Sequence, residues 1–223
     1  GSIARTDLAR STGLSPATIT GITAELIEDG LVFEKASGDS RGGRRPILLA
    51  LDPRGGYVVG IKLTEEMVIG ALTDLEATVL QKSSLTLDDH EVNTVLHTIT
   101  EMVARLTHQA GVPQAKLLGV GIGLAGIIDA ANGLLRHSPI FGWRNIPLVE
   151  PLSGLLHVPV YVDNDVNTLT LTERLFGAGQ GVDNFLTVTV GRGVGLGVVV
   201  NGQLYRGWRG GAGEFGHTVI DPN

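Results

Sequence analysis

The sequence predicts an α/β protein in two parts: a winged helix-turn-helix over residues 1–52 and a larger α/β lobe over residues 53–223. Three observations predict it. Residues 5–51 offer a helix, a glycine turn, a capped helix and two strand-like runs, in that order. After Asp52-Pro53 the pattern changes to three short apolar runs, a long amphipathic helix, and then strand and helix in alternation. The composition, 43% hydrophobic and 18% charged, is that of a folded chain.

Composition also excludes several functions. No apolar run reaches membrane-spanning length, and no charged segment followed by an apolar stretch opens the chain, so a cytoplasmic protein without a membrane partner is expected. The chain has no cysteine, which rules out disulfides and thiolate metal sites within it. The net charge of −6 is unevenly placed. Residues 1–54 carry seven basic against seven acidic side chains, and the remainder ten against sixteen. An acidic body repels phosphate, so any affinity for DNA has to come from a local cationic feature and from dimerisation. Arg41, Arg44 and Arg45 supply that feature.

In the first part, Arg5–Ser11 has helical spacing with Leu8 and Ala9 facing inward. Gly13 can take the positive φ that ends this helix. Ser15 is a good N-cap, and Pro16 sits where its missing N–H costs nothing. The second helix runs to about Asp29, with Ile19, Ile22, Leu26 and Ile27 on one stripe, and Gly30 stops it. Its other face offers Ser15, Ala17, Thr18, Thr20, Gly21 and Thr23, small residues that permit close approach to base edges. An ordinary solvated helix face is the alternative. Leu31–Lys35 and Pro46–Leu51 read as the strands of a wing. Between them, Arg44 and Arg45 follow two glycines on a loop suited to a narrow minor groove, with a solvated linker as the alternative.

In the second part, Tyr57–Leu63, Met67–Thr73 and Thr78–Leu85 read as strands. A helix carries Val92, Val95, Leu96, Ile99, Val103 and Leu106. Leu117–Leu124 is a strand, Leu148–Leu156 a helix, Val158–Val162 a strand and Asn167–Phe176 a helix. Phe185–Val190 and Val194–Asn201 make a hairpin. Three strands, helix, strand, helix, strand is the ribonuclease-H-like order of one lobe of the actin/hexokinase superfamily.

Five stretches carry a family resemblance. VGRGVGLGVVVNGQLYRGWRGGAGEFGH (190–217), GIGLAGIID (121–129) and DNDVNTLTLTE (163–173) resemble the motifs of the ROK family of repressors, uncharacterised reading frames and sugar kinases. The N-terminal helices and GGRRP (42–46) are similar to the DNA module of its repressor branch, which includes N-acetylglucosamine and xylose repressors. The resemblance implies a sugar-responsive repressor that binds operator DNA as a homodimer or homotetramer. It implies that Asn164, Asp165, Glu214 and His217 bind the sugar, carboxylates accepting strongly from hydroxyls. By spacing alone, Asn164 and Asp165 could equally be a turn and helix cap, and Glu214 a solvated charge. Ala125 replaces a usual proline and Ile140 a common asparagine, so the effector is expected to differ from glucose-like ligands.

The resemblance also defines departures. Family kinases place an acidic residue and Gly-Gly-Thr after the first strand, whose amides cradle ATP phosphates. Here Lys62-Leu63-Thr64-Glu65-Glu66 stands there, and carboxylates repel a polyanion. A second phosphate loop reads Gly191-Arg192-Gly193. An arginine there can still attract phosphate, so this change alone is ambiguous; together the two argue against phosphoryl transfer, and no enzyme is expected. The alternative is an ATP-dependent sugar kinase with a DNA-binding head, in which Asp165 would be the base. The family's structural zinc joins this histidine, His217, to three downstream cysteines. With no cysteine here, the expectation is no cofactor in this chain, zinc only in a longer protein, and a second lobe only begun by Asn223.

Overall fold

The computed structural model describes residues 1–35, 47–191 and 193–217, with only the backbone of His217. The expected contacts of Arg44 and Arg45, and the loop residue Arg192, lie outside those residues.

The chain opens with a short strand, β1 (Ser2–Ala4), followed by helices α1 (Arg5–Thr12) and α2 (Pro16–Glu28). Strands β2 (Val32–Lys35) and β3 (Leu48–Leu51) follow, and the three strands pair antiparallel in the order β1-β3-β2. Gly13 takes φ 72° and closes α1 by donating to Ala9 O. Ser15 caps α2, its side chain accepting from Thr18 N at 3.1 Å. Strand β1 has no signature in the sequence: three residues are too few to show a period of two.

The stripe of α2 differs from the periodicity reading at two positions. Ile19 and Thr23, four residues apart, are the buried pair, whereas Ile22 is 41% exposed. Burying a threonine costs little here because its hydroxyl is satisfied. Thr23 Oγ1 accepts from Arg5 Nε at 3.0 Å and donates to Thr20 O at 3.2 Å. Arg5 also pairs with Glu34 at 2.8 Å, joining α1 to β2.

The larger part is built on a mixed five-stranded sheet. Strands β4 (Tyr57–Leu63), β5 (Met67–Asp74) and β6 (Val79–Thr86) run as antiparallel neighbours. Helix α3 (Val92–Ala110) then crosses to β7 (Leu117–Leu124), parallel to β4. Three short strands, β8 (Ile127–Asp129), β9 (Leu134–Ser138) and β10 (Trp143–Pro147), form a small antiparallel sheet. Helix α4 (Val149–Leu156) leads to β11 (Val160–Asn164), parallel to β7. The sheet order is therefore β11-β7-β4-β5-β6.

Alternation decides the faces. Val59, Ile61 and Leu63 point into the core, where α3 presents Val95, Ile99, Met102, Val103 and Leu106. One face of the sheet is thus covered by a helix whose apolar stripe has the expected spacing. The small β8–β10 sheet escapes the periodicity reading, because its strands are only three to five residues long.

Helix α5 (Asp165–Phe176) follows β11 directly, and a second sheet, β12 (Phe185–Val190), β13 (Val194–Val200) and β14 (Gln203–Leu204), packs against it. Glycine decides that contact. A Cβ on Gly197 would collide with Thr170 Oγ1, and one on Gly195 would lie 2.5 Å from Val166 Cγ2. Larger residues there would push the helix off the hairpin.

Candidate functional site

Strands β4, β7 and β11 are parallel and end together, Leu63 and Asn164 each lying in register with Leu124. Ligands of open α/β sheets bind outside the carboxyl ends of such strands. Three segments meet there: the turn after β4, the Ala125-Gly126 segment after β7, and the start of α5.

Asn164 is the N-cap of α5. Its Oδ1 accepts from Val166 N at 2.9 Å and Asn167 N at 3.3 Å, while Nδ2 donates to Gly126 O at 3.0 Å. The cap role left open by spacing is therefore real, and a primary amide so placed has one N–H left to offer a ligand. Asp165 begins the helix, where the dipole favours a carboxylate. The first turn of α5 packs close over β7 at Gly123, where a Cβ would lie 2.9 Å from Thr168 Oγ1.

Lys62, paired with Gly123 on the neighbouring strand, brings its Nζ to 3.7 Å from Asp165 Oδ2. With side chains 60% and 27% exposed, this pair contributes little to stability. Its importance is chemical. A cation, not an acidic residue, faces the carboxylate that would serve a kinase as base.

The turn after β4 spends its own donors. Thr64 N donates to Met67 O at 2.9 Å, and Met67 N donates to Thr64 Oγ1 at 3.0 Å. Glu65 O is held by His90 Nε2 at 2.7 Å, and Glu66 O accepts from Leu87 N at 2.8 Å. Two amides that could face a phosphate are thereby turned into the turn itself.

Asp163, which no spacing singles out, is the best-connected group at the site. It is buried, and its Oδ1 accepts from Asn167 Nδ2 at 3.0 Å and Asn164 N at 2.8 Å. Its Oδ2 accepts from Arg206 through Nε at 2.8 Å and a terminal guanidinium nitrogen at 2.7 Å. No sequence signal marks this pair, since 43 residues separate its members. Glu214 is exposed beyond the loop that Arg206 opens, and Ile140 is 38% exposed. The structure joins Asn164, Asp165 and Lys62 directly, and the Glu214 loop to them through Arg206.

The cleft beside these residues has a volume of 980 Å³ and is lined by Lys62, Lys82, Gly121, Tyr161, Asp163 and Arg206, among others. Next to it, Asp129 accepts from Asn132 Nδ2 at 3.0 Å and from Arg136 at 2.6 Å. The Asn132 hydrogen bonds, then Arg136, hold its carboxyl below the ordinary carboxylate range.

The family zinc finds no fit in these residues. His217 closes a short 3-10 turn, cysteine is absent from the chain, and no group of three metal-binding side chains clusters among the described residues. On α2, Ser15, Ala17, Thr18, Thr20 and Gly21 are exposed together. Thr23 does not belong with them: it is 3% exposed and bonded to Arg5 and Thr20.

Fold and cleft together define an α/β lobe of the sugar-kinase type. The ROK family model matches residues 58–223, and the chain belongs to the ROK family. It is 34% identical over 221 residues to the xylose repressor of Bacillus subtilis, covering 99% of this chain and 57% of that protein. It is 32% identical to the N-acetylglucosamine repressor of Escherichia coli O157:H7, covering all of this chain and 55% of that protein. The chain thus spans a little over half the length of the curated relatives it matches. Among solved structures, a ROK family transcriptional regulator homologous to the E. coli MLC protein superposes with TM-score 0.86 at 29% identity, covering 99% of this chain and 56% of its own. A ROK glucokinase from Streptomyces griseus, in complex with glucose and AMPPNP, gives TM-score 0.67 at 30% identity, covering 75% of this chain and 52% of its own. No helix among the described residues is long and apolar enough to cross a membrane.

Proposed function

We propose that the protein is a sugar-responsive transcriptional repressor, with a winged helix-turn-helix over residues 1–52 and a sugar-binding ROK lobe over residues 53–223. One observation carries this reading. A lobe of the sugar-kinase type holds hydroxyl-accepting groups at its strand ends, while its phosphate turn uses its amides internally and Lys62 faces the would-be base. Such a lobe binds a polyol without transferring phosphate to it. The repressor relatives support the same conclusion.

The exposed face of α2, with Ser15, Ala17, Thr18, Thr20 and Gly21, enters the major groove, and exposed Ile22 beside them suits a thymine methyl. Arg44 and Arg45 reach the adjacent minor groove. A homodimer, or a homotetramer acting as a pair of dimers, places two such heads on successive turns of the duplex. Sugar held by Asn164, Asp165, Glu214 and His217 favours an arrangement of the heads that fits DNA differently. Coupling of this kind requires unequal sugar affinity for the two arrangements. The protein works in the cytoplasm, where its operator lies.

The test is to sequence the DNA retained by the protein with and without D-xylose, D-glucose and N-acetylglucosamine. A shared motif whose recovery changes with one sugar is the expected result; random DNA in every arm ends the proposal. The glucokinase likeness gives the rival reading its basis. A coupled ATPase assay with the same sugars separates the two, because turnover abolished by Asp165→Asn would make this protein a kinase.

A further inference from the structure

The candidate ligand groups come from two separately hydrogen-bonded sheets. Asn164 ends β11 of the five-stranded sheet and Asp165 follows it, whereas Glu214 follows β14 of the hairpin sheet. A polyol bound by both needs their separation fixed to a fraction of an ångström.

Arg206 stands where that separation is set. Its carbonyl accepts from Ala212 N at 3.1 Å, closing the loop two residues before Glu214. Its guanidinium docks on Asp163 at 2.8 and 2.7 Å, and the other oxygen of Asp163 holds Asn167 and the backbone N–H of Asn164. Asp163 has a side chain only 10% exposed, and a buried carboxylate holds its cation in a narrow geometry. The loop is also pressed onto its surroundings. At φ 79° Gly210 lies against Ile128 O, and at φ 84° Gly213 lies against Leu196 O, close approaches that any Cβ would prevent.

We infer that Arg206 is a positioning residue for ligand binding: docked on Asp163, it sets Glu214 at its working distance from Asn164 and Asp165. The inference rests on the sugar-site reading above. Affinity for a polyol then depends on Arg206 through Glu214, and the two residues are energetically coupled.

Calorimetry on the full chain with D-xylose, D-glucose and N-acetylglucosamine as probes tests this. Wild type is compared with E214Q, R206M, R206K and their combinations with E214Q. Because R206M strips a buried carboxylate of its cation, R206M/D163N is carried alongside, with melting curves for all. Expected are a loss of about tenfold in affinity for E214Q, a similar loss for R206M, and less than about threefold further loss on combining them. R206K recovers part of the affinity. Full additivity of E214Q with both Arg206 backgrounds, or unchanged affinity in them, overturns the positioning role alone. Failure of wild type to bind any probe removes the sugar site itself, and the positioning role with it.

Discussion

Thr23 shows how a single hydroxyl can sit on either side of a helix. Its partners, Arg5 Nε and Thr20 O, make it part of the packing between α1, α2 and β2. Thr23→Val should therefore cost about 1 kcal/mol for each hydrogen bond removed, a fall of a few degrees in melting temperature, with DNA affinity unchanged. Gly21→Ala should do the reverse. A Cβ there meets nothing within 4 Å, so the helix gains up to about 1 kcal/mol. In the proposed complex the same methyl intrudes on the surface that meets DNA, and retention of the selected operator should fall. A stabilised variant with undiminished DNA affinity would remove Gly21 from that surface. Asp129 gives a pH dependence. Its folded-state pKa is depressed by the Asn132 and Arg136 hydrogen bonds, so its contribution is present above the ordinary carboxylate range. That contribution disappears as pH falls through the depressed value. Melting curves taken between neutral and strongly acid pH should show the effect in wild type and not in Asp129→Asn.

Asn164 caps helix α5 and, in the proposed function, also binds the sugar; substitution separates the two. Asn164→Ala removes the cap and should cost about 1 kcal/mol, within the usual range of roughly 0.5–2 kcal/mol. Asn164→Ser keeps a capping oxygen and should restore most of that stability, yet it lacks the amide N–H offered to a ligand. Equal sugar affinity in the serine variant and wild type would leave Asn164 a structural residue only. The hairpin-facing side of the helix depends on glycine. Gly197→Ala forces a Cβ against Thr170, which is fully buried and cannot yield, so destabilisation by about 1–3 kcal/mol is expected in denaturant titrations. Periodicity foretells α3 well because it presents a broad apolar stripe. It misses β1 and the β8–β10 sheet, whose strands are held by neighbours rather than by their own pattern.

For the assembled molecule, the repressor reading makes sugar and DNA binding two sides of one coupling. A sugar that changes operator affinity by some factor must have its own affinity changed by the same factor when operator is present. Calorimetric titration of the sugar with and without operator checks this; unequal factors would mean that the binding scheme omits a state. Salt dependence checks the wing. Replacing Arg44 and Arg45 by alanine should weaken DNA binding and reduce the slope of log affinity against log salt by about one for each phosphate no longer neutralised. An unchanged slope would place those arginines away from the duplex.

Local chemistry was enough to determine the order of the main helices and strands, the Ser15 cap, the glycine stops and the family motifs around Asn164, Asp165 and Glu214. Those features depend on residues within a few positions of one another, where backbone sterics and amphipathic period act directly. Folding in three dimensions decided the rest. It buried Thr23 and exposed Ile22, set Lys62 beside Asp165, and joined Asp163 to Arg206 across 43 positions of chain. Pairings of that kind arise from which strands become neighbours and which face of each is covered, and no spacing along the chain encodes them.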